Sequence, residues 1–504
     1  MAISASVLSG STNLMAMAHP FAGPTGPHDP ETGAPIGGVP IMIDVRTREV
    51  IVFDPWLLKQ FHFIHSAFGI VLGPKGHGKS SLMKILANRL SLLTAGYDTI
   101  RMSINDYKPE ESSSEYALFT KHMRSKPFEI ATMKVNPFEA RLFVAPGNDV
   151  YELAILRIAE ILFEFVNNGP STGSNAESVR IGVSKMLRQD PILWSPELLY
   201  DSLKSLEDGD IRSYQLGLRQ KLQSQMQTRL KNANIESKAV RTDLTQQMRA
   251  ISESGSNLMF EEIKQAGIYM SQQLGNILHG SYGGMFGADH SLYDMLTQRT
   301  ATLDWRGVSA EGETLMRILL TEIKLAAIEM NRLDLLPHIE LDDEKHKSMG
   351  NLVFAKSHSH FSEIARGTHT FNMSATHRLG SIRRGGMNSE LYDLGNTIIS
   401  NLGFAFIGKH EVNDPGLAEI CERYDLSETD RGLIPMLPDF TFGVKIGSQR
   451  IRYGRVFALP SEIPFLGTDS ATSRMVTRPG VISPEQLRQF AEKNGIVYLG
   501  AGAA

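Results

Sequence analysis

One stretch of eight residues can do chemistry on its own: Gly73-Pro74-Lys75-Gly76-His77-Gly78-Lys79-Ser80 matches G-x-x-x-x-G-K-[ST] at every fixed position. A nucleoside triphosphate carries dense negative charge. The backbone N–H groups of a Gly-rich loop and the N-terminus of a helix can wrap it. Gly76 and Gly78 supply conformations that a Cβ would penalise. Lys79 offers a mobile cation to the β- and γ-phosphates, and the Ser80 hydroxyl is a ligand for Mg²⁺. The binding loop is expected to comprise Gly73, Pro74, Lys75, Gly76, His77, Gly78, Lys79, Ser80 and Ser81, with Lys75 and His77 as loop residues of no assigned role. The flanks agree with this. Phe68-Gly-Ile-Val-Leu-Gly is a short apolar run typical of a buried parallel strand. From Ser80 to Thr94 the apolar residues Leu82, Ile85, Leu86 and Leu90 keep helical spacing. A Gly-rich strand–helix turn that binds nothing is the competing reading and is not preferred.

Hydrolysis also needs an acid at the end of a neighbouring strand to hold the Mg²⁺ water shell. A following Glu commonly polarises the attacking water. His338-Ile-Glu-Leu-Asp342-Asp343-Glu344 is the candidate. Two registers fit. Asp343 as the Mg²⁺ acid with Glu344 as the base preserves an Asp-Glu pair and is preferred. Asp342 as the acid with Asp343 as the base is the alternative. A solvated acidic strand end, followed by Lys345 and Lys347, would need no chemistry. His377 follows the strand Thr370–Ser374, where a polar side chain can sense a γ-phosphate; a surface His at a strand end is the competing reading. Arg383 and Arg384 sit in a Gly-flanked loop. They are candidates for an arginine finger on a neighbour's nucleotide, with Arg384 taken forward, or for contacts to a nucleic-acid backbone, or simply solvated charge. Arg366 and Arg423 are weaker finger candidates. His346, His358, His360 and His369 lack a helical H-x-x-x-H pair with a carboxylate base, and no Cys accompanies them, so no zinc site is assigned.

The elements that must position these groups alternate between β and α. Val39-Pro-Ile-Met-Ile-Asp-Val and Glu49-Val-Ile-Val-Phe-Asp read as a hairpin around Arg46-Thr-Arg. After the P-loop helix, Tyr97-Asp-Thr-Ile-Arg-Met-Ser-Ile reads as a strand and completes a βαβ unit. Tyr151 to Val166 is apolar nearly all round, the pattern of a buried helix. Gly169-Pro-Ser-Thr-Gly-Ser is a linker-like break. From Arg212 to Arg249 the chain is Gln-rich with Leu222, Met226 and Leu230 four apart, and eight Lys/Arg against Glu236 and Asp243 leave it at +6. This is read as a helical insertion. A strand at Thr300–Trp305, a helix from Glu311 to Leu333, and strands at His338, Thr370 and Asn401 follow. A hairpin from Thr441 to Leu459 turns at Gly447-Ser-Gln. A tail helix, Pro484 to Lys493, is capped by Ser483. The expected organisation is a flexible arm at 1–38, the first part of an ATPase domain at 39–150, a helical insertion at 151–295, the second part at 296–465 and a tail at 466–504.

Composition bounds the function classes. The 504 residues are 42 % hydrophobic and 21 % charged, so a large core is available and disorder throughout is excluded. With 51 Lys+Arg against 55 Asp+Glu the net charge is −4, which excludes a chain-wide electrostatic grip on nucleic acid or anionic lipid and requires any such contact to be local, as at the +6 segment. A single cysteine, Cys421, leaves no disulfide or thiolate metal site and fits a reducing compartment. No apolar run approaches the roughly 18 residues of a membrane span. The N-terminus has no Lys or Arg before its weak apolar stretch, unlike a signal peptide.

In aggregate these motifs resemble a known family. Phe53-Asp-Pro-Trp precedes the P-loop. Ile104-Asn-Asp106-Tyr-Lys-Pro-Glu, Glu115-Tyr116 and Asn136-Pro137-Phe follow it. Then come the helical insertion, Leu303-Asp-Trp with a long helix, Leu341-Asp-Asp-Glu, and Tyr424-Asp-Leu426-Ser-Glu. Over about 40–460 the order is similar to the motor domain of VirB/TraC-like ATPases of conjugative type IV secretion, within the FtsK–HerA superfamily of RecA-like hexameric motors. The family often has a Gln after the sensor strand; here it is His377. Many of its members carry a large N-terminal channel-docking domain, whereas here only a short stretch precedes the P-loop, so docking is expected through the insertion, the tails or a separate subunit.

The resemblance implies an α/β, RecA-like fold with a mainly parallel sheet and an inserted all-α subdomain. It also implies ATP and Mg²⁺ as cofactors, a homo-hexameric ring, membrane-channel partners, and a cytoplasmic location with recruitment to the inner face of the membrane. A DNA-translocating or coupling ATPase of the same superfamily, touching DNA through 212–249 and Arg383/Arg384, is the second reading. A nucleotide-dependent assembly switch with little turnover is the third.

Overall fold

Continuous apolar runs become the interior strands of a single sheet. In this computed structural model the described residues are 37–93, 101–106, 115–143, 151–167, 170–217, 220, 224, 257–280, 282–287, 291–329, 338–344, 349–364, 369–383, 385–386, 389–459, 461–466 and 497–498. The chain divides into two compact units, one of 1–131, 295–309 and 334–504, the other of 132–294 and 310–333. Residues 1–36, most of 212–249, and the tail helix at Pro484–Lys493 lie outside the described residues, as do Lys345, His346, Lys347, Arg366 and Arg384.

The first unit holds the whole sheet. Its strands are β1 (Val39–Asp44), β2 (Val50–Phe53), β3 (Phe68–Leu72), β4 (Arg101–Asp106), β5 (Pro127–Glu129), β6 (Thr300–Asp304), β7 (His338–Asp342), β8 (Thr370–Thr376), β9 (Phe404–Ile407), β10 (Thr441–Ile446), β11 (Arg452–Ala458) and β12 (Val497–Tyr498). The order is β2-β1-β11-β10-β9-β3-β8-β7-β4-β6-β5, with β12 beside β11. From β9 to β5 every pairing is parallel. From β9 to β2 every pairing is antiparallel. All five residues of β3 and all seven of β8 are buried, as strands covered on both faces require. The chain is therefore α/β with a mixed, mostly parallel sheet.

Local chemistry fixes the first turns. Asp44 Oδ1 accepts the amides of Arg46 and Thr47 at 2.9 and 3.0 Å and folds the hairpin between β1 and β2. Asp54 caps helix α1 (Pro55–Gln60) by accepting the amides of Trp56 and Leu57, with Pro55 in the first turn. Helix α2 (Lys79–Leu93) starts inside the phosphate loop and buries Leu82, Met83, Ile85, Leu86 and Leu90 completely. Helix α3 (Ala117–His122) follows Tyr116. The strand expected at Asn401 begins instead at Phe404. Asn401 ends the helix Glu390–Ser400, and its side chain donates to Ser362 Oγ at 2.7 Å, which takes it out of the sheet.

The second unit is helical. Asn257–His279 packs on Gly173–Leu187 and Pro196–Lys204, and Tyr151–Asn167 packs on Gly173–Leu187 and Ala310–Glu329. Asn136 accepts the amide of Phe138 at 2.9 Å and donates to the Trp194 carbonyl at 2.6 Å, and the buried Trp194 ring stacks on Tyr151. Leu153 on Tyr151–Asn167 is 59 % exposed, so that helix is not buried on every side as its apolar pattern led one to expect. Among the described residues no helix is long and apolar enough to cross a membrane.

Candidate nucleotide-binding site

The loop after β3 has the conformation its glycines permit. Gly76 and Gly78 lie at φ 86° and 88°, where an L side chain is strained. A Cβ on Gly76 would meet nothing within 4 Å, so this part of the loop borders open space. On Gly78 it would come within 2.4 Å of the Phe440 ring. Lys79 Nζ donates to the Pro74 carbonyl at 2.9 Å. Ser80 and Ser81 are buried at the start of α2.

Strand order brings the acids to this loop. β8 lies between β3 and β7, so the ends of the three strands form one row. Ser80 Oγ donates to Asp343 Oδ2 at 2.8 Å, although 263 residues separate them. Asp342 points elsewhere: its two oxygens accept from Asn105 Nδ2 at 2.6 Å on β4 and from Asn372 Nδ2 at 3.2 Å on β8. Of the two acids, only Asp343 is hydrogen-bonded to the loop serine. Glu344 follows at φ 62°, a left-handed conformation that costs a non-glycine residue about 1–2 kcal/mol. Its carboxylate lies 3.4 Å from His377 Nε2.

His377, just past β8, bridges both sides. Its Nδ1 faces the Gly73 carbonyl at 3.2 Å. Behind it, His410 Nε2 lies 3.3 Å from the His377 carbonyl and Nδ1 lies 2.9 Å from the Gly408 carbonyl. Burial pushes the His410 imidazole below its ordinary value; the two carbonyls act the other way without overcoming it.

Several contacts here carry no sequence signal. His77 Nδ1 lies 2.6 Å from Asp439 Oδ1, and the Phe440 amide donates to the His77 carbonyl at 3.4 Å. Phe440 itself sits at φ 60°. The loop before β10 thus clasps the phosphate loop. The Tyr116 hydroxyl donates to Asp343 Oδ2 at 3.4 Å. Burial, then the charges of Asp343, Glu115 and Asp106, push this phenol well above its ordinary value, so it stays a donor. Glu115-Tyr116 entered the sequence reading only as a motif match. Asn105, Asn372, His410, Asp439 and Phe440 had no distinguishing spacing.

The remaining candidates are placed differently. Arg383 pairs with Glu419 at 2.7 Å and lies over the Tyr392 ring, so its partners are not the phosphate loop. Arg423 donates to the Ile399 carbonyl at 3.0 Å. His358 lies between the rings of Phe354 and Phe361.

No family model and no curated protein matches this sequence. Solved structures do. VirB4 of Thermoanaerobacter pseudethanolicus aligns over 84 % of this chain and 98 % of its own, with a TM-score of 0.56 at 14 % identity. The bacterial conjugative coupling protein TrwB aligns over 77 % of this chain and 84 % of its own, with a TM-score of 0.39 at 15 % identity. The chain thus has the RecA-like P-loop fold, a nucleoside-triphosphatase fold.

Proposed function

We propose that this chain is a Mg²⁺-dependent ATPase that drives a conjugation or type IV secretion-like transport system as a ring of identical subunits, six by the resemblance. The observation that carries the reading is the 2.8 Å hydrogen bond from Ser80 of the phosphate loop to Asp343, with Glu344 next in sequence. A hydroxyl and a carboxylate at this spacing are hard oxygen donors of the kind Mg²⁺ prefers. Ser80 and Asp343 would hold the ion, which supplies charge to neutralise phosphate oxygens. Gly73 to Ser81 would cradle the phosphates, with Lys79 turning from the Pro74 carbonyl to meet them. Glu344 would orient the attacking water. His377, between the Gly73 carbonyl and Glu344, would report occupancy of the loop to that base. Arg384 would serve a neighbouring subunit's nucleotide.

The motif order and the fold shared with VirB4 favour secretion or conjugation. The subunit would work in the cytoplasm, recruited by channel components to the inner face of the membrane. The +6 segment at 212–249 favours the second reading, a motor that moves on DNA. Lys79→Ala is expected to lower ATP hydrolysis at least about 100-fold; hydrolysis at the wild-type rate would refute the ATPase assignment. DNA-stimulated hydrolysis with salt-dependent binding would select the DNA motor. Nucleotide binding without turnover, unaltered by Glu344→Gln, would select an assembly switch.

A further inference from the structure

Asp343 is held from two directions. Ser80 reaches its Oδ2 from the start of α2 at 2.8 Å. The Tyr116 hydroxyl reaches the same oxygen at 3.4 Å from the start of α3. Tyr116 is fully buried, and its ring is fixed on several sides. Lys84 Nζ lies 4.9 Å from the ring centroid, and the Phe119 ring meets it edge-on at 6.4 Å. The Tyr116 amide donates to Asp106 Oδ2 at 3.4 Å. Lys84 is itself fully buried on α2, one turn past Ser80, and it donates to the Glu115 carbonyl at 2.8 Å. A buried ammonium is costly unless it is paired and hydrogen-bonded, and Lys84 also lies 4.0 Å from Glu115 Oε1. Here it ties the Glu115–Tyr116 peptide to the phosphate-loop helix, so that helix controls Asp343 twice, directly and through the phenol.

We propose that Tyr116 is a positioning residue for the Mg²⁺ site: its hydroxyl orients the Asp343 carboxylate, and Lys84 holds the phenol in place. It would act through Asp343 rather than as a ligand of the ion. The proposal rests on Asp343 being the Mg²⁺ acid. Ser80 is assigned to the ion itself, so the phenol, whose hydroxyl also lies 4.0 Å from Met83 Sδ, keeps Asp343 aimed while the serine serves the ion. Partners of this kind change metal affinity about 10–100-fold when lost; the 3.4 Å distance points to the weak end, roughly three- to tenfold.

Tyr116→Phe tests this in the full chain, because it keeps the ring and removes only the hydroxyl. Binding of a fluorescent N-methylanthraniloyl-ADP is measured in EDTA and across a Mg²⁺ titration, with Asp343→Asn run beside it. The expected result is unchanged affinity in EDTA and a Mg²⁺ midpoint raised roughly three- to tenfold. An unmoved midpoint in Tyr116→Phe, with a large shift in Asp343→Asn, would overturn the role of Tyr116 alone. Equal weakening in EDTA and in Mg²⁺ would also overturn it, since the phenol would then act on packing of the loop. An unmoved midpoint in Asp343→Asn would overturn the Mg²⁺-acid assignment on which the proposal stands.

Discussion

Asp342→Asn and Asp343→Asn should fail in opposite ways. Asp342 is 5 % exposed and ties three adjacent strands, accepting from Asn105 on β4 and Asn372 on β8. An asparagine there keeps one acceptor and turns the other oxygen into a donor that faces a donor. The lost charge-assisted bond is worth about 1.5–3 kcal/mol. The Asn105 amide can rotate to offer its oxygen, whereas Asn372 Oδ1 already accepts the Ser374 hydroxyl; the one rotation puts the cost near the lower end, about 1.5 kcal/mol. At about 2–4 °C per kcal/mol for a large domain, the melting temperature should fall roughly 3–6 °C. The Mg²⁺ midpoint for hydrolysis should stay where it is. Asp343→Asn leaves an acceptor for Ser80, so the fold should persist. It removes the charge at the ion, so the Mg²⁺ midpoint should rise at least about tenfold and turnover fall at least about 100-fold. Thermal melting and ATP hydrolysis against Mg²⁺ concentration measure both. A Mg²⁺ midpoint moved by Asp342→Asn, or normal hydrolysis by Asp343→Asn, would refute the assignment.

Three further outcomes are expected. Gly78→Ala and Gly76→Ala both strain a positive φ, but only the first drives a Cβ into Phe440; Gly78→Ala with Phe440→Ala should recover part of the lost nucleotide affinity, and Phe440→Ala should recover nothing for Gly76→Ala. Glu462 and Arg89 form a fully buried ion pair at 2.5 Å, so Glu462→Gln should cost about 3 kcal/mol or more in urea unfolding, and a loss under about 1 kcal/mol would show the charge to be dispensable. Burial raises the Asp44 carboxyl, but the amides of Thr47 and Arg46 and the Arg452 guanidinium outweigh it and leave it below its ordinary 3.8. Its contribution is therefore complete above pH 3.8 and is lost as pH falls below that value, so Asp44→Asn should show a shallower acid loss of stability than the wild type.

The phosphate loop was legible because its chemistry is written in consecutive residues with an apolar strand on one side and helical spacing on the other. The acid pair was legible only to within one residue. Asp342 and Asp343 are both buried at one strand end, and the choice between them depends on partners 237, 30 and 263 residues away. β-rich runs on either side of a turn found the hairpins of β1–β2 and β10–β11, but they do not encode that β1 pairs with β11. Asn401 misled because an apolar run follows it at once; its side chain bonds to Ser362, a contact that local patterning does not carry. The clasp of Asp439 and Phe440 on the phosphate loop was invisible for the same reason: both are ordinary loop residues until β10 brings them to His77.

The sheet order has a consequence for how the protein is made. β3, which launches the phosphate loop, pairs only with β8 and β9, and both are encoded far downstream. At about 5–20 residues per second the ribosome delivers β8 roughly 15–60 s after β3. Through that interval Phe68-Gly-Ile-Val-Leu has apolar side chains and open edges on both sides, the kind of segment that pairs with other chains. The helical unit, mostly contiguous at 132–294, is synthesised within that wait and can fold first. The nucleotide site thus closes late in synthesis, and nascent chains truncated before Thr370 should lack nucleotide binding however intact their phosphate-loop sequence.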